Sequence, residues 1–423
     1  MIKCFNEPLN FINTITNDFI IFGQSIIDVL LELKPSNFNI LTHTQINVFL
    51  NFLKENNIKY KAEEYLEFIY NNNTYKIFYK NDEYRECLKY QKTTMNALAI
   101  NSEGKLIDYF NGLDDINNKV IKLIDNNFIY KDNKLMIKLI RYSAEYGFKL
   151  DDDLLEIINK HSPNIILVST HVIRDELIKI LMSDHPEYIK DLEKYGLLKY
   201  IIPELHLCFH TPQENPWHIY NVGDHTIEVL KNTPKDYDIR VAALLHDVGK
   251  CFCKRIGPDG IAHFYGHPKI SKEKASDIFE RLYFPQKDIK VALTLIDLHD
   301  NRLEPKLKSV RKFIIKYKPS DELFRKLLKL QYADIKGQNP EKTKESLDNL
   351  NKVLEIYENY KKNERTYKDL EITGKELINE GIDRRKIKPI LDLLIEYISI
   401  DITRNNKKDL IKYAKDNQKK IKV

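Results

Sequence analysis

A chain of 423 residues with 43% hydrophobic content can bury a sizeable core, and it has room for roughly two to four domains. A mean hydropathy of −0.46 and the lack of any run near the roughly 20 apolar residues of a membrane span exclude membrane-embedded and disordered classes, and a net charge of +5 is too mild to argue for nucleic acid by itself. The opening MIKCFNEPLNF lacks the basic-then-apolar order of a secretory leader, and five scattered cysteines suit a reducing cytoplasm better than a disulfide framework. In chain order, Phe19-Ile20-Ile21-Phe22 ending at Gly23 predicts a strand and turn, and Ser25 to Leu33 a helix stopped at Pro35. Phe38 to Thr42 and Tyr75 to Tyr79 predict two more strands by their β-branched and aromatic content. From about Asp132 the strand signals stop. Apolar residues then recur at helical spacing, as in Leu135 to Tyr142, after the acidic start at Asp151-Asp152-Asp153, and in Ile387 to Ile400. The fold class expected is α+β, a small mixed α/β head followed by an all-helical body.

The histidines carry the chemical signal. Eight of the 12 lie between His206 and His299, and the central piece is Ala242-Ala243-Leu244-Leu245-His246-Asp247-Val248-Gly249-Lys250. An apolar helix face there delivers an adjacent imidazole and carboxylate, a pair suited to a divalent cation. His225 lies 21 residues before His246, His267 lies 21 after it, His299 follows 32 later and Asp334 after 35 more. Each gap fits a helix and a connection, so these side chains can converge on one pocket. A core has no packing use for so many polar groups, whereas any one histidine alone is ordinarily a satisfied or solvent-facing side chain. His206, His210, His218 and His263 fit the pattern less well; substrate contact, taken for His263, and plain surface are both open for them. Lys250, one turn past the pair, reads either as a point charge for a phosphate or as a solvated helix end.

His225, His246-Asp247 and Asp334 resemble the signature of the HD superfamily of metal-dependent phosphohydrolases, and His267 and His299 stand at the extra ligand positions of its two-metal members. The resemblance implies one or two divalent ions (Mn, Ni, Co, Mg or Fe), coordination or bridging by Asp247, and attack of a metal-bound water on phosphorus. The flanking Pro216-Trp217-His218-Ile219-Tyr220-Asn221-Val222 and His263-Phe264-Tyr265-Gly266-His267 narrow this further. They resemble the HD insert of bacterial class II tRNA nucleotidyltransferases, the CCA-adding and poly(A) polymerase family. Thr94 to Ala99 with Gly104 to Asp108 is similar to the late head motif, Ile140 to Phe148 to the start of the neck, and Leu370 to Leu377 with Asn406 to Ile411 to the tail helices that hold tRNA. The domains implied are a head at 1–125, a neck at 126–200, an HD domain at 201–340 and a tail at 341–423.

The departures from that family shape the expectation. The first strand–helix unit has Gly23-Gln24-Ser25-Ile26-Ile27-Asp28 in place of a Gly-Gly turn and an Arg-Asp pair. Asn37-Phe38-Asn39 stands where the family has the acid-x-acid motif that binds two Mg²⁺ ions, so both negative charges are lost. Tyr90-Gln91-Lys92 replaces an Arg-Arg-Asp element, and Lys131 to Leu135 keeps only the aspartate of a Glu-Asp-x-x-Arg element. The expected function is therefore a metal-dependent phosphohydrolase acting on phosphate ends of RNA or nucleotides, carried on a scaffold with a retired polymerase site. One alternative is a tRNA nucleotidyltransferase that still extends RNA 3′ ends, using Asp28, Asp108 or Asp114. The other is a non-catalytic RNA-binding protein using the cationic run Arg404 to Lys422, which reads more readily as a solvated helix. Partners implied are tRNA-like RNA and nucleotides in the cytoplasm, with no membrane; the sequence does not reveal the oligomeric state.

Overall fold

The computed structural model describes residues 2–362, 367–400, 402–419 and 421; Lys420 and Lys422 of the cationic run lie outside them. Two compact units form, one from residues up to Asp300 together with Arg325–Thr343, the other from Asn301–Phe324 and Lys344 onward.

The first unit begins with a seven-stranded sheet. Its strands are β1 (Phe19–Phe22), β2 (Asn37–Thr42), β3 (Tyr60–Ala62), β4 (Leu66–Tyr70), β5 (Asn73–Tyr79), β6 (Ala99–Asn101) and β7 (Leu106–Ile107), in the order β3-β4-β5-β2-β1-β6-β7. Only β2 and β5 pair in parallel within it. All four residues of β1 are buried, which is why a continuous apolar run marks a central strand here. The three predicted strands are present. The predicted helix is shorter than its apolar spacing suggests and covers Gln24–Leu30, because Glu32 takes a left-handed backbone (φ 61°) and the Leu33 amide folds back onto the Asp28 carbonyl at 2.8 Å. Pro35 therefore does not end it.

Beyond Asp132 the chain is mostly helical but not entirely so. Val120–Ile121 (β8) pairs in parallel with Lys149–Leu150 (β9), and Arg255–Ile256 (β10) forms a hairpin with Ala262–His263 (β11). Two-residue strands present no periodicity, so their sequence carries no signal. The helix Leu135–Tyr146 closes at Gly147 in the left-handed region (φ 68°), and its Tyr146 hydroxyl donates to Gln24 Oε1, tying it to the head.

Arg240 fastens the helix Tyr237–Leu245, which delivers His246, to the segment before it. Its buried guanidinium donates to the carbonyls of Leu181 (2.7 Å), Ser183 (2.6 Å) and Pro234 (3.1 Å). Arg240→Met strands three carbonyls and is expected to cost about 2–4 kcal/mol in denaturant unfolding, with Arg240→Lys recovering part of it.

In the second unit, Phe324 packs between Phe313 and Tyr357, with ring centroids at 5.6 and 4.2 Å. The C-terminal helices Gly374–Asn379, Ile387–Ile400 and Lys407–Gln418 close a separate apolar core around Leu377, Ile390, Leu394 and Leu410. Thr373 and Glu376 cap the first of these helices reciprocally.

Candidate functional site

Five helices bring the polar residues of the histidine cluster together. His225 lies in Val222–Lys231, His246 and Asp247 follow Tyr237–Leu245, His267 opens His267–Arg281, His299 closes Gln286–Leu298 and Asp334 sits in Asp321–Lys336. All six predicted ligands are buried. Gly249 makes the crossing possible. A Cβ on it would lie 2.4 Å from the Ser271 amide nitrogen and 2.6 Å from the His267 carbonyl oxygen, and its own amide donates to Ser271 Oγ at 2.9 Å. Gly249→Ala is expected to destabilise the protein by roughly 1–3 kcal/mol or more, seen as a lowered urea midpoint, because the obstacle is backbone rather than a movable side chain.

The same device orients all four imidazoles. His225 Nδ1 donates to the Gly337 carbonyl (3.1 Å), His246 to Ala243 (2.8 Å), His267 to Phe264 (3.0 Å) and His299 to Ile296 (2.7 Å). A carbonyl can only accept, so Nδ1 carries a proton in each ring, and in the neutral ring the lone pair is on Nε2. Those Nε2 atoms point at two acids. His225 Nε2 is 3.0 Å from Asp334 Oδ1 and 3.5 Å from Asp247 Oδ2, and His246 Nε2 is 3.3 Å from that same oxygen. His267 and His299 approach the other oxygen, Asp247 Oδ1, at 3.3 and 3.5 Å.

This arrangement fits a cation. His246 Nε2 and Asp247 Oδ1 are buried without a hydrogen-bond partner among the described residues, which is costly unless something else satisfies them. The Nε2 atoms of His267 and His299 lie 3.2 Å apart, and with both rings neutral two lone pairs would face each other across that gap. An ion between them and Asp247 turns the repulsion into coordination. Each oxygen of Asp247 faces one pair of imidazoles, so a single carboxylate separates two subsites.

The electrostatics agree. Burial raises the cost of charge on Asp247, yet His246 and Lys250 hold its carboxyl well below the usual range, so it stays ionised. Burial alone would lower His246, but the Asp247 and Asp334 charges outweigh it and raise its pKa. Burial keeps His299 lowered. Lys250 is not a solvated helix end: its ammonium is buried, 2.7 Å from Asp247 Oδ2 and 3.0 Å from Gln213 Oε1. His218, which the spacing pattern left aside, packs edge-on against His225 with centroids 5.0 Å apart, and burial pushes its pKa down to about 3. His263 sits on the β10–β11 hairpin, stacked on exposed Tyr265 at 5.2 Å, rather than among the ligands. His206 and His210 are gathered elsewhere, around Glu193.

In the head, Asn37 and Asn39 occupy alternate positions of β2, and Asn39 lies opposite Phe22 of β1. Asn39 lines a cleft of about 540 Å³ with Phe22, Phe78, Lys80, Asp82 and Tyr90 among its walls. The carboxylate on that wall is Asp82, not one of the three acids named from the sequence. Asp28 accepts from Gln24 at 2.7 Å, Asp108 accepts the amides of Gly112 and Leu113 at 2.9 and 3.0 Å, and Asp114 is an exposed residue in the first turn of Gly112–Asn117. The two segments that depart from the Arg-Arg-Asp and Glu-Asp-x-x-Arg elements meet, since Lys92 pairs with Asp132.

A mixed-sheet head with a cleft of about 540 Å³, joined to a helical body that gathers four histidines and two aspartates, gives the protein two distinct candidate sites. Comparisons with known proteins give the same division. Family models match in order along the chain: "Poly A polymerase head domain" over residues 19–122, "Probable RNA and SrmB- binding site of polymerase A" over 147–208 and "HD domain" over 218–358. The chain thus carries, in this order, segments similar to a poly(A) polymerase head, its RNA-binding segment and an HD domain. It is 27% identical over 270 residues to a multifunctional CCA protein of Psychromonas ingrahamii, covering 60% of this chain and 64% of that one. It is 26% identical over 216 residues to one of Acinetobacter baumannii, covering 49% of this chain and 52% of that one. The match thus spans less than two thirds of either relative. In fold it is similar to the Bacillus stearothermophilus CCA-adding enzyme in complex with CTP (TM-score 0.65, 16% identity, 99% of both chains). It is also similar to the Thermotoga maritima CCA-adding enzyme complexed with tRNA (TM-score 0.64, 15% identity, 97% of this chain and 96% of that one).

These relatives correct the reading of the chain as, first of all, a metal-dependent phosphohydrolase. The proteins it is similar to are described as CCA proteins and CCA-adding enzymes, and the presence of an HD domain does not make its chemistry the main activity. The histidine cluster dominates the sequence because polar ligands in a helical core stand out, whereas the head's fold is carried by apolar strands that many proteins share. No helix among the described residues is long and apolar enough to cross a membrane.

Proposed function

We propose that the chain is a tRNA nucleotidyltransferase of the CCA-adding kind, working on tRNA in the cytoplasm. The observation that carries this reading is that head, RNA-binding and HD models match in that order along this chain, which is similar to proteins described as CCA proteins. The head cleft takes the nucleoside triphosphate: Phe78 and exposed Tyr90 offer faces to a base, and Lys80 offers charge to the phosphates. Asn39 contributes a neutral oxygen, and Asp82 contributes the negative charge on that wall. Divalent ions, when bound, neutralise phosphoryl charge. The test is incorporation of labelled CTP and ATP into tRNA that ends before its CCA. Incorporation that falls on Tyr90→Ala and Lys80→Ala supports the reading; a blank result with folded protein removes it.

A second reading has its own observation. Both positions of the acid-x-acid motif, Asn37 and Asn39, are neutral, which favours a protein that binds tRNA and nucleotide without joining them. Retention of tRNA without incorporation would select it.

For the helical centre, the proposal is that His225, His246, Asp247 and Asp334 hold a divalent cation, with His267, His299 and Asp247 Oδ1 forming a second position. Lys250 then fixes the orientation of Asp247, and the His263–Tyr265 pair offers a stacking face outside the ligand set.

A further inference from the structure

A different group of metal-ligating side chains lies in the segment that leads into the histidine–aspartate centre. His206 and His210 stand four apart on the helix Pro203–Phe209 and at its closing residue, so their rings share one face, with centroids 4.7 Å apart. Glu193, on the helix Ile189–Lys194, points its carboxylate at both: Oε2 and Oε1 are 2.8 and 3.0 Å from His206 Nδ1, and Oε1 is 3.3 Å from His210 Nε2. The three donor atoms all lie within 4.8 Å of one another.

We propose that Glu193, His206 and His210 form a second cation site, taking a borderline divalent transition metal of the Zn²⁺ or Co²⁺ type. Bonds of about 2.0–2.1 Å in a tetrahedral site place donors roughly 3.3 Å apart, and the spacings from Glu193 to the two imidazoles are within tenths of an ångström of that. Two imidazoles and one carboxylate suit such ions over Mg²⁺ or Ca²⁺, which prefer all-oxygen shells. A simple surface ion pair accounts for one imidazole beside Glu193, whereas here two converge on one carboxylate. Glu193 and His206 are the less accessible members, with side chains 19% and 29% exposed, and His210 is 62% exposed, so the carboxylate and one ring are held in place and a fourth position stays open to water. A bound ion would clip the helix Ile189–Lys194 to the helix Pro203–Phe209, fixing the joint ahead of the cluster.

The site is separable from the histidine–aspartate centre. Full-length protein carrying His246→Ala and Asp247→Ala is titrated with Co²⁺, reading visible d–d absorption, and its Zn²⁺ content is measured after equilibrium dialysis. The expected result is one ion per chain in this background, lost when His206→Ala and His210→Ala are added, with an unchanged metal-free circular dichroism spectrum. His206→Gln with His210→Gln in the otherwise native chain is expected to lower the Zn²⁺ count by one, which guards against misfolding of the four-site variant. A count that the histidine changes leave untouched, or no ion in the background variant, overturns the proposal.

Discussion

Replacing Asn37 and Asn39 together by aspartate is expected to raise CTP or ATP incorporation by roughly 10²–10³-fold, measured on tRNA ending before its CCA with Mg²⁺ present. The physical reason is charge. Phosphoryl transfer is catalysed mainly by positioning and electrostatic stabilisation, and two divalent ions need negative ligands to stay near the triphosphate. Asparagine has the shape of aspartate and an oxygen at the same place but brings no charge. The cleft can accept the change, because Asn37 is exposed and Asn39 is partly so, with Lys80 on the same wall as Asn39. Each single variant should give less than the pair, since one acid restores half of the charge. If neither the native chain nor the paired variant incorporates nucleotide while both bind CTP, the head is not a nucleotidyltransferase site and the binding-only reading holds. If the native chain already turns over quickly and the pair adds nothing, Asp82 carries the charge, and Asp82→Asn should then abolish incorporation.

The second large effect concerns the buried cluster. Mn²⁺ or Ni²⁺ is expected to stabilise the native protein, by about 2.7 kcal/mol at a concentration one hundred times the dissociation constant, and Asp247→Asn should remove that gain. Asp247→Ala should also destabilise the metal-free protein by roughly 3–5 kcal/mol, since it leaves the buried Lys250 ammonium without its neighbouring carboxylate and with the neutral Gln213 oxygen beside it. Thermal unfolding with and without chelator checks both. The pH dependence has a definite sign. His246 has a raised pKa, so its proton stabilises the metal-free fold at acid pH, and this contribution is lost as pH rises through the folded value. A cation replaces that proton and gains affinity over the same range. Asp247, held low, and His299, lowered by burial, compete less with the metal at neutral pH. Cation-induced stabilisation should therefore grow from pH 5.5 to pH 8, a window set by the His246 direction around the ordinary histidine range of about 6.5. A stabilisation independent of pH would exclude imidazole ligands.

The amino-acid sequence by itself placed the strands at Phe19–Phe22, Phe38–Thr42 and Tyr75–Tyr79, because apolar, β-branched and aromatic residues mark a pleated, buried surface. It also determined the six members of the cluster, because histidines and acids recurring one helix apart have no use in an apolar core. The neutral Asn37 and Asn39 were equally legible, since charge is a property of composition. Tertiary structure alone decided the rest. That Asp82 rather than Asp28, Asp108 or Asp114 lines the head cleft depends on which way a loop passes a strand edge. That Lys250 is buried on Asp247 depends on Gly249 letting two helix backbones approach. That Glu193 meets His206 and His210, and His218 meets His225, depends on how helices pack. Local patterns report which face of an element turns inward; they carry no information on which two inward faces meet, and that is set by packing across the whole core.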